Sequence, residues 1–418
     1  MTAASRVLLI APYSSYRTAP FIAAAERLRV PLLIASQSDL PVSTIAVQGV
    51  NVSFASPQEA FEKLMREAER APFAAVLGTD DATTELAARI AASLGLPHNP
   101  PEAVRYAHRK DLARERLARS GVRVPRHWRV DLRQALAAQI DAVRYPCVVK
   151  PVALSASRGV IRADSRGALL AAAARAERII AGELEGEARH LLLIEEYLPG
   201  IEVAVEGMLD SGELQVLAVF DKPDPLEGPF FEESYYITPS RLDASVQAQL
   251  RIAIAAVCRA YGLREGPIHA ECRINDAGVW ILEVAARTIG GLCARLLRFG
   301  TGYGLEELVL AQALGQPLPE MASDDERAAG GVLMLPIEQG GILRRVEGIE
   351  AARKVPHIEE VHIDVREGYE LVPLPEGASY LGFIFARAPT PQAAESALRA
   401  AHAKLRVVVA PLFKAARA

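Results

Sequence analysis

The chain has 418 residues, of which 50% are hydrophobic and 23% are charged, and its formal net charge is −4. This length exceeds one ordinary hydrophobic core and predicts two to four globular domains. The small negative charge leaves no basic excess, which argues against nucleic acid or an anionic membrane surface as the main partner.

The cysteines and the start of the chain predict a cytoplasmic protein that contacts no membrane. The first apolar run, Val7 to Ile10, is too short for the core of a signal peptide. No apolar run approaches the roughly 18 residues of a membrane span. Cys147, Cys258, Cys272 and Cys293 lack CxxC spacing and lie in apolar contexts, so we expect reduced, buried thiols.

Strand-like and helix-like segments alternate over the first hundred residues. The strands read RVLLIAP, PLLIAS and FAAVLGT, and the helices read APFIAAAERLRV, PQEAFEKLMREAER and DATTELAARIAASLG. Such alternation is typical of a parallel α/β layer. Residues 1–105 are therefore predicted to form a Rossmann-like domain. No G-x-G-x-x-G follows its first strand, so dinucleotide binding is not indicated.

The rest of the chain predicts mixed α/β and α+β domains. A pair of helices in NPPEAVRYAHRKDLARERLARSGVRVP stops at Gly121. From Tyr145 a hairpin, an alanine-rich helix and a strand follow, and a later helix is expected from Ala244 to Tyr261. From about Asp324 the sequence shows short strands and a terminal helix, PQAAESALRAAHAKLRV. We predict a central unit over 106–323, with a subdomain at about 145–197, and a small α+β domain over 324–418.

The stretch CVVKPVALSASRGVIRAD raises the first question about a binding site. It places Lys150 at the end of an apolar strand, followed by a small, hydroxyl-rich loop with one glycine. A P-loop requires G-x-x-x-x-G-K-[ST], so this is not one. An unpaired buried lysine is costly, and we expect Lys150 to face an anion. Taken alone, however, the stretch favours a simple surface hairpin.

Two strands farther along, IHAECRI and VWILEVA, carry paired carboxylates. If their loop has three residues, Asn275 pairs with Val279 and Glu271 lies opposite Glu283. Like charges facing each other repel, and a hard cation such as Mg²⁺ would offset this. A solvated surface hairpin is an equally good explanation of the pattern alone.

The alternation of side chains along IHAECRI adds a second expectation. It places His269, Glu271 and Arg273 on one face of the strand. Upstream, Glu202 follows the Pro199-Gly200 turn in EEYLPGIE, where a carboxylate can accept from both hydroxyls of a ribose. Glutamates near turns are also common on surfaces.

The order of these parts resembles the ATP-grasp superfamily. Within it, the chain looks most like the carboxylate–amine ligases of the L-amino-acid ligase (dipeptide synthetase) type. The parts are a lysine that begins the helix KDLARERLA, the strand-end lysine with its Ser/Gly hairpin, the EEYLPGIE turn, and a Glu…Glu hairpin ending in EVAARTIGG. Similar segments extend over nearly the whole chain and include SYRTAPFIAAAERL, FDKPDPLEGPFFEESYYITPSRL and GGVLMLPIEQGGIL. The resemblance implies a Rossmann-like N-terminal domain, ATP-grasp central domains with a mobile lid, and a small α+β C-terminal domain.

The resemblance also implies a nucleotide site. Lys110 and Lys150 would hold the phosphates of ATP, beneath a loop that closes over them. Glu195, Glu196 and Leu198 would lie against the adenine, and Glu202 would take the ribose hydroxyls. The full set of implied nucleotide contacts is Lys110, Lys150, Ser155, Ser157, Gly159, Glu195, Glu196, Leu198 and Glu202.

Metal and substrate positions follow from the same resemblance. Glu271 and Glu283 would ligate Mg²⁺ or Mn²⁺, and Arg287 would steady the transferred phosphoryl group or the substrate carboxylate. Glu233 would lie near the substrate amine. Tyr236 and the Gly290-Gly291 turn would border the substrates. With Lys150, the residues Arg287 and Glu233 make up the implied catalytic set.

The sequence departs from the family pattern at two positions. Many ATP-grasp enzymes have Asn where this chain has Ala285, which puts a full second metal site in doubt. Some relatives carry His near the position of Tyr236, so the substrate pocket is expected to differ from theirs.

The implied activity is formation of an amide bond from a small carboxylate and an amine through an acyl phosphate, with release of ADP and phosphate. Small molecules are then the partners, and a homodimer is the default assembly. Two alternatives are compatible with the ATP-grasp fold or with nucleotide binding alone. One is a biotin-carboxylase-like or purine-pathway ligase, and the other is a nucleotide-binding regulatory protein with a decayed active site.

Overall fold

The computed structural model describes residues 6–37, 47–298, 302–317 and 328–412. Its first unit is a parallel four-stranded sheet in the order β3-β2-β1-β4, covered by three helices. Both faces of β1 and β2 are buried, as is usual for a parallel sheet between helices. The elements are β1 (Arg6–Ile10), α1 (Thr18–Leu28), β2 (Leu32–Ser36), β3 (Val47–Asn51), α2 (Pro57–Arg70), β4 (Phe73–Gly78) and α3 (Asp81–Ser93).

Two helices lead from this unit into an antiparallel four-stranded sheet, the predicted lid, with strand order β5-β8-β6-β7. The buried face of α7 packs on one side of the sheet through its Leu, Ile and Ala residues. This sheet takes in a strand that begins at His127, upstream of the expected start near 145. The elements are α4 (Pro101–His108), α5 (Lys110–Arg119), β5 (His127–Asp131), α6 (Leu136–Gln139), β6 (Cys147–Pro151), β7 (Ile161–Ala163), α7 (Arg166–Ala181) and β8 (Leu191–Glu196).

The centre of the molecule is an antiparallel eight-stranded sheet with strand order β13-β12-β9-β10-β11-β14-β18-β16. Its strands are β9 (Ile201–Asp210), β10 (Glu213–Asp221), β11 (Tyr235–Thr238), β12 (Gly266–Asn275), β13 (Gly278–Ala285), β14 (Ala329–Leu335), β16 (Ile358–Ile363) and β18 (Gly382–Ala388). A smaller sheet, β17-β15-β19, is formed by β15 (Gly341–Glu347), β17 (Glu370–Leu371) and β19 (Arg406–Ala410). The helices of this region are α8 (Ala244–Tyr261), α9 (Leu305–Ala313), α10 (Ile349–Arg353) and α11 (Pro391–His402).

The eight-stranded sheet runs across the domain boundary that the sequence predicts at 323/324. Strand β11 pairs with β14, with Tyr235 opposite Leu333, so strands from both sides of this boundary share one hydrogen-bonded layer. The boundary itself lies outside the described residues. The predicted terminal helix was too long: α11 ends at His402, and the following residues form β19.

The remaining sequence-based expectations concern membranes and thiols. In the described part of the chain, no helix combines the length and apolar character that crossing a membrane requires. All four cysteines are buried and unpaired, as expected.

Candidate active site

A single cavity of about 880 Å³ brings together nearly all the candidate residues. The first unit, the predicted lid, the eight-stranded sheet and the C-terminal region each contribute to its walls. Every candidate side chain from the sequence lines it except Gly159. Residues far apart in the sequence therefore meet where a small ligand can reach them, and the roles implied for them remain predictions.

The two candidate phosphate lysines lie in this cavity, and each is paired with a glutamate. The Nζ atom of Lys150 is 2.6 Å from Oε2 of Glu195. The Nζ atom of Lys110 is 3.0 Å from Oε2 of Glu283, and it also donates to the Leu154 carbonyl at 2.9 Å. Strand β6 fixes the position of Lys150, and the first turn of α5 fixes that of Lys110. Both ammonium groups are thus held in place by protein oxygens.

Glu195 is a buried carboxylate with two cationic partners. Besides Lys150, the Nε of Arg114 lies 2.5 Å from its Oε1. Burial alone would raise the pKa of Glu195, but Arg114 and Lys150 outweigh burial and lower it to about 2. Glu195 therefore stays ionised and orients Lys150. Arg114, which the sequence analysis did not single out, is the second cation of this buried group.

The hairpin of β12 and β13 carries the facing carboxylates, although its loop differs from the prediction. We expected a three-residue loop, but Asn275 pairs directly with Gly278, which leaves a loop of two residues. An irregularity between Glu271 and Cys272 then shifts the register by one residue. As a result Glu271 does lie opposite Glu283. The predicted loop was wrong, whereas the predicted pair is present.

A buried lysine that the sequence analysis missed lies at the acidic end of the cavity. Lys222 follows β10 and is only 6% exposed. Its Nζ is 2.9 Å from Oε1 of Glu202, contacts Glu233, and is 3.9 Å from Oε1 of Glu271. Burial alone would lower the pKa of Lys222, but the three glutamates raise it well above its usual value. In the sequence, the feature that could have indicated this lysine is a charged Asp-Lys pair directly after the apolar run VLAVF.

The same three glutamates form an oxygen-rich cluster. One carboxylate oxygen from each of Glu202, Glu233 and Glu271 lies within 4.8 Å of the others. Carboxylate oxygens are the ligands that a hard cation prefers, so this cluster offers donors that suit Mg²⁺ or Mn²⁺. Of the two predicted metal ligands, Glu271 belongs to the cluster and Glu283 does not. Lys222 already neutralises part of the cluster, whereas Glu283 is paired with Lys110.

Glu202 and Arg273 form a second buried ion pair beside Lys222. The Nε of Arg273 donates to Oε2 of Glu202 at 3.0 Å, and its Nη1 donates to the carbonyl of Leu198 at 2.5 Å. These contacts tie β12 to the start of β9 and to the turn that follows β8. His269, Glu271 and Arg273 all line the cavity, so the predicted shared face of β12 is confirmed.

Glu233 and Tyr236 border the region expected to receive the amine. The Tyr236 hydroxyl donates to Oε2 of Glu233 at 2.8 Å. Burial and the neighbouring Glu271 raise the pKa of the Glu233 carboxyl to about 7, against the opposing effect of Lys222. Because Glu233 lines the cavity, a bound ligand can reach this carboxyl.

Arg287 is held by a residue of the first unit that the sequence did not reveal. Its Nε and Nη2 each lie 3.0 Å from one carboxylate oxygen of Asp81, at the start of α3. This is the two-point geometry that a guanidinium forms with a carboxylate. Burial alone would raise the pKa of Asp81, but Arg287 and nearby cations lower it to about 2. Asp81 follows a strand that the sequence predicts, but nothing in GTDD indicates its distant partner.

The first unit also closes on the Gly290-Gly291 turn. The amide of Gly291 donates to the Tyr16 hydroxyl at 3.0 Å. A Cβ atom on Gly290 would lie 2.8 Å from the same hydroxyl oxygen, and one on Gly291 would collide with the sulfur of Met334. The two glycines therefore permit close approach of Tyr16 and Met334 at the cavity wall.

The loop from Ser155 to Gly159 has one face on the cavity and one on the C-terminal region. Ser155 and Ser157 line the cavity, but Gly159 does not. Instead, the amide of Gly159 donates to the carbonyl of Pro375 at 2.9 Å. Its φ of +69° also favours glycine at this position. The structure therefore places Gly159 as an anchor of the loop.

Comparisons with known proteins identify similar domains and a similar fold. Residues 143–295 match the ATP-grasp domain, and residues 333–410 match the L-amino acid ligase C-terminal domain 2. The chain is 24% identical to an L-amino acid ligase from Bacillus licheniformis, with a TM-score of 0.81 over 98% of this chain and 100% of that one. This likeness establishes the fold.

Three curated relatives are named as enzymes, and each has a chain longer than the part that this protein matches. Carnosine synthase 1 of Gallus gallus is 30% identical over 63% of this chain and 30% of its own length. Alanine–anticapsin ligase of Bacillus subtilis is 25% identical over 60% of this chain and 56% of its own. Dapdiamide A synthase of Enterobacter agglomerans is 27% identical over 50% and 48%, respectively. The matches thus span between 30% and 56% of these relatives.

Proposed function

We propose that this chain, an ATP-grasp protein of the L-amino acid ligase type, joins a small carboxylate to an amine in an ATP-dependent reaction. The observation that carries the proposal is the cavity itself. It collects two lysines, a two-point-bound arginine, facing carboxylates and a carboxyl near the expected amine position. The relatives' names include synthases and ligases, which agrees with this activity.

The first step would form an acyl phosphate. An oxygen of the substrate carboxylate attacks the γ-phosphorus of ATP, the bond to the β–γ bridging oxygen breaks, and ADP leaves. Such in-line transfer depends mainly on positioning and on neutralisation of charge. Lys110, Lys150 and Arg287 supply positive charge at fixed positions because each is held by a carboxylate. A divalent cation at Glu271 and Glu283, Mg²⁺ or Mn²⁺, would supply further positive charge to the phosphates when bound.

The second step would form the amide. The amine nitrogen attacks the acyl carbon, the bond to the phosphate oxygen breaks, and the nitrogen loses a proton. The Glu233 carboxylate lies on the cavity wall and is held by Tyr236 and Lys222, so it is placed to accept that proton. The Ser155–Gly159 loop and its sheet would exclude water, which otherwise hydrolyses the acyl phosphate.

The remaining assignments of the proposal concern the nucleotide, the domains and the setting. The adenosine would bind along Glu195, Glu196, Leu198 and Glu202, all of which line the cavity. The N-terminal unit would be 1–105, whereas 106–323 and 324–418 would act together because they share the eight-stranded sheet, and the lid would extend from β5 to about residue 197. We place the protein in the cytoplasm as a homodimer, which is the commonest assembly.

A product screen tests this function. The purified chain is incubated with ATP, Mg²⁺ and pairs of amino acids, while phosphate release is recorded and products are identified by mass spectrometry. We expect ADP, phosphate and an amide in equal amounts for at least one pair. Glu283→Gln should abolish this turnover, whereas the exposed Glu350→Gln should not. Release of ADP that needs bicarbonate, or tight ATP binding without turnover, would contradict the proposal.

A further inference from the structure

A fully buried carboxylate lies beneath the candidate metal site and has no part in the proposed steps. Glu206 on β9 is 0% exposed and lies directly opposite His269 of β12. Its Oε2 is 3.2 Å from Nδ1 of His269, and its Oε1 accepts from the amide of Ile289 at 3.1 Å. Burial of an unpaired carboxylate is costly, so these two partners explain how Glu206 is tolerated.

His269 faces Glu206 on one side and Glu271 on the other. Its Nε2 is 3.7 Å from Oε1 of Glu271, an ion-pair distance that is longer than a hydrogen bond. The ring is only 6% exposed, yet it lines the cavity. The ring therefore fills the space between a buried carboxylate and a carboxylate that faces ligand.

This arrangement connects two parts of the proposed phosphoryl-transfer site. Glu271 is a candidate ligand of the cation, and Ile289 lies two residues after Arg287. The Ile289 amide contacts Glu206, Glu206 contacts His269, and His269 faces Glu271. These contacts connect β12, which carries Glu271, to the segment that carries Arg287. A shift of Glu206 or His269 would change the positions of both.

We propose that His269, seated on Glu206, is a positioning residue that fixes the orientation of the Glu271 carboxylate toward a divalent cation. The inference rests on the proposed function, which places the cation at Glu271. Groups that contact a metal ligand from behind typically change metal affinity by about 10- to 100-fold when they are replaced. A merely structural Glu206–His269 pair would leave metal affinity unchanged.

Two substitutions separate the two contacts of the ring. In His269→Asn the shorter amide can reach Glu206 from about the position of Nδ1 but cannot reach Glu271. In His269→Gln the longer amide can occupy about the position of Nε2. We expect His269→Asn to weaken Mn²⁺ binding about tenfold or more, and His269→Gln to recover most of that loss.

The measurement is the binding of Mn²⁺ to the full chain in the presence of ADP, followed by electron paramagnetic resonance of free Mn²⁺. It requires neither substrate nor turnover. In parallel, the dependence of ADP release on Mg²⁺ should shift to higher concentrations in His269→Asn, with kcat restored at saturating Mg²⁺. That split between half-saturation and kcat is not expected from a general loss of folded protein.

Cys272→Ala is the matched control. Cys272 lies on the same strand, is fully buried, and belongs to the core on the opposite face. We expect this variant to lower the melting temperature and leave Mn²⁺ affinity unchanged. Wild-type affinity in His269→Asn, or equal losses in the Asn and Gln variants, would overturn the inference. If the unmodified chain with ADP binds no Mn²⁺, the cation placement and this inference both fall, whereas amide formation is tested separately.

Discussion

Lys222 is the residue on which the acidic part of the cavity most depends. Its ammonium lies among Glu202, Glu233 and Glu271 and is the shared counter-charge of all three. Removal of one partner from a buried ionic group leaves the others uncompensated, which is far more costly than loss of a surface pair. Stability and site geometry are therefore linked at this residue.

The first prediction concerns this charge. We expect Lys222→Met to lower the free energy of unfolding by about 3–5 kcal/mol, measured by urea denaturation. ADP release should also be lost, because the three carboxylates would reorient. The control is Lys63→Met on the exposed side of α2, which should change stability by less than about 0.5 kcal/mol. Equal stabilities of the two variants would contradict this account of Lys222.

A second prediction follows from the Asp81–Arg287 pair. The pKa of Asp81 is lowered in the folded chain, from 3.8 to about 2. Such a group stabilises the fold above its unfolded pKa, and this contribution of about 2 kcal/mol is lost as the pH falls from about 4 to about 2. We expect the loss of unfolding free energy between pH 5 and pH 3 to be smaller in Asp81→Asn than in the unmodified chain. An identical pH dependence in the two proteins would show that Arg287 does not stabilise ionised Asp81.

Individual residues were predictable where they belong to a short motif. Lys150 in CVVKP and Glu202 in PGIE both line the cavity, and the roles implied for them stay predictions. Lys222 and Asp81 were missed, because their partners lie on other strands or in another unit and no local spacing marks them. The sequence indicated that Gly159 lies in the loop after Lys150, but it gave no sign that the Gly159 amide bonds to Pro375 of the C-terminal region.

At the scale of elements, long periodic segments were the easiest to predict. Helix α8 has the predicted bounds, Ala244–Tyr261. Strand β3 was missed, since most of VQGVN is exposed and offers little hydrophobic pattern. The β12–β13 register could not be derived from the turn, because the irregularity beside Glu271 depends on packing between strands.

The predicted lid is joined to the C-terminal region by a small set of contacts. The carboxylate of Glu376 forms a two-point ion pair with Arg175 of α7, at 2.6 and 2.8 Å. The carbonyl of Glu376 also accepts from Arg158 at 3.3 Å, next to the Gly159–Pro375 hydrogen bond. These contacts hold the serine-containing loop against the cavity.

We therefore predict that Glu376→Gln weakens nucleotide binding. An ion pair that is partly exposed contributes about 0.2–1 kcal/mol, so the Kd for ADP should rise by up to about fivefold, as measured by calorimetry. Glu350→Gln is the control, because its pair with Arg353 is confined to α10. An unchanged Kd in Glu376→Gln would mean that these contacts do not assist closure over the nucleotide.

At the scale of the whole molecule, the central sheet does not follow the domain boundaries expected from sequence. Strands β14 and β18 extend the layer that begins with β13, and Met334 and Phe383 from these strands line the cavity. The short strands and terminal helix that begin at about Asp324 marked a boundary in the sequence. It gave no sign that hydrogen bonding continues between strands on its two sides.

Truncation tests this continuity. A chain that ends at residue 323 would lose the partner of β11 and expose apolar side chains of two cores. We expect it to aggregate and to lack a cooperative unfolding transition in circular dichroism. Full solubility with a sharp transition would show that residues 324–418 are an independent addition.

The pairing of Lys110 with Glu283 has a consequence for the order of assembly. A nucleotide phosphate that binds Lys110 would leave Glu283 without its counter-ion. A cation that binds Glu283 would leave Lys110 without its counter-ion. When the nucleotide and the cation bind together, Lys110 pairs with a phosphate and Glu283 with the cation, so the local charge stays balanced. Nucleotide and divalent cation should therefore bind with positive thermodynamic coupling, each increasing the affinity for the other by the same factor.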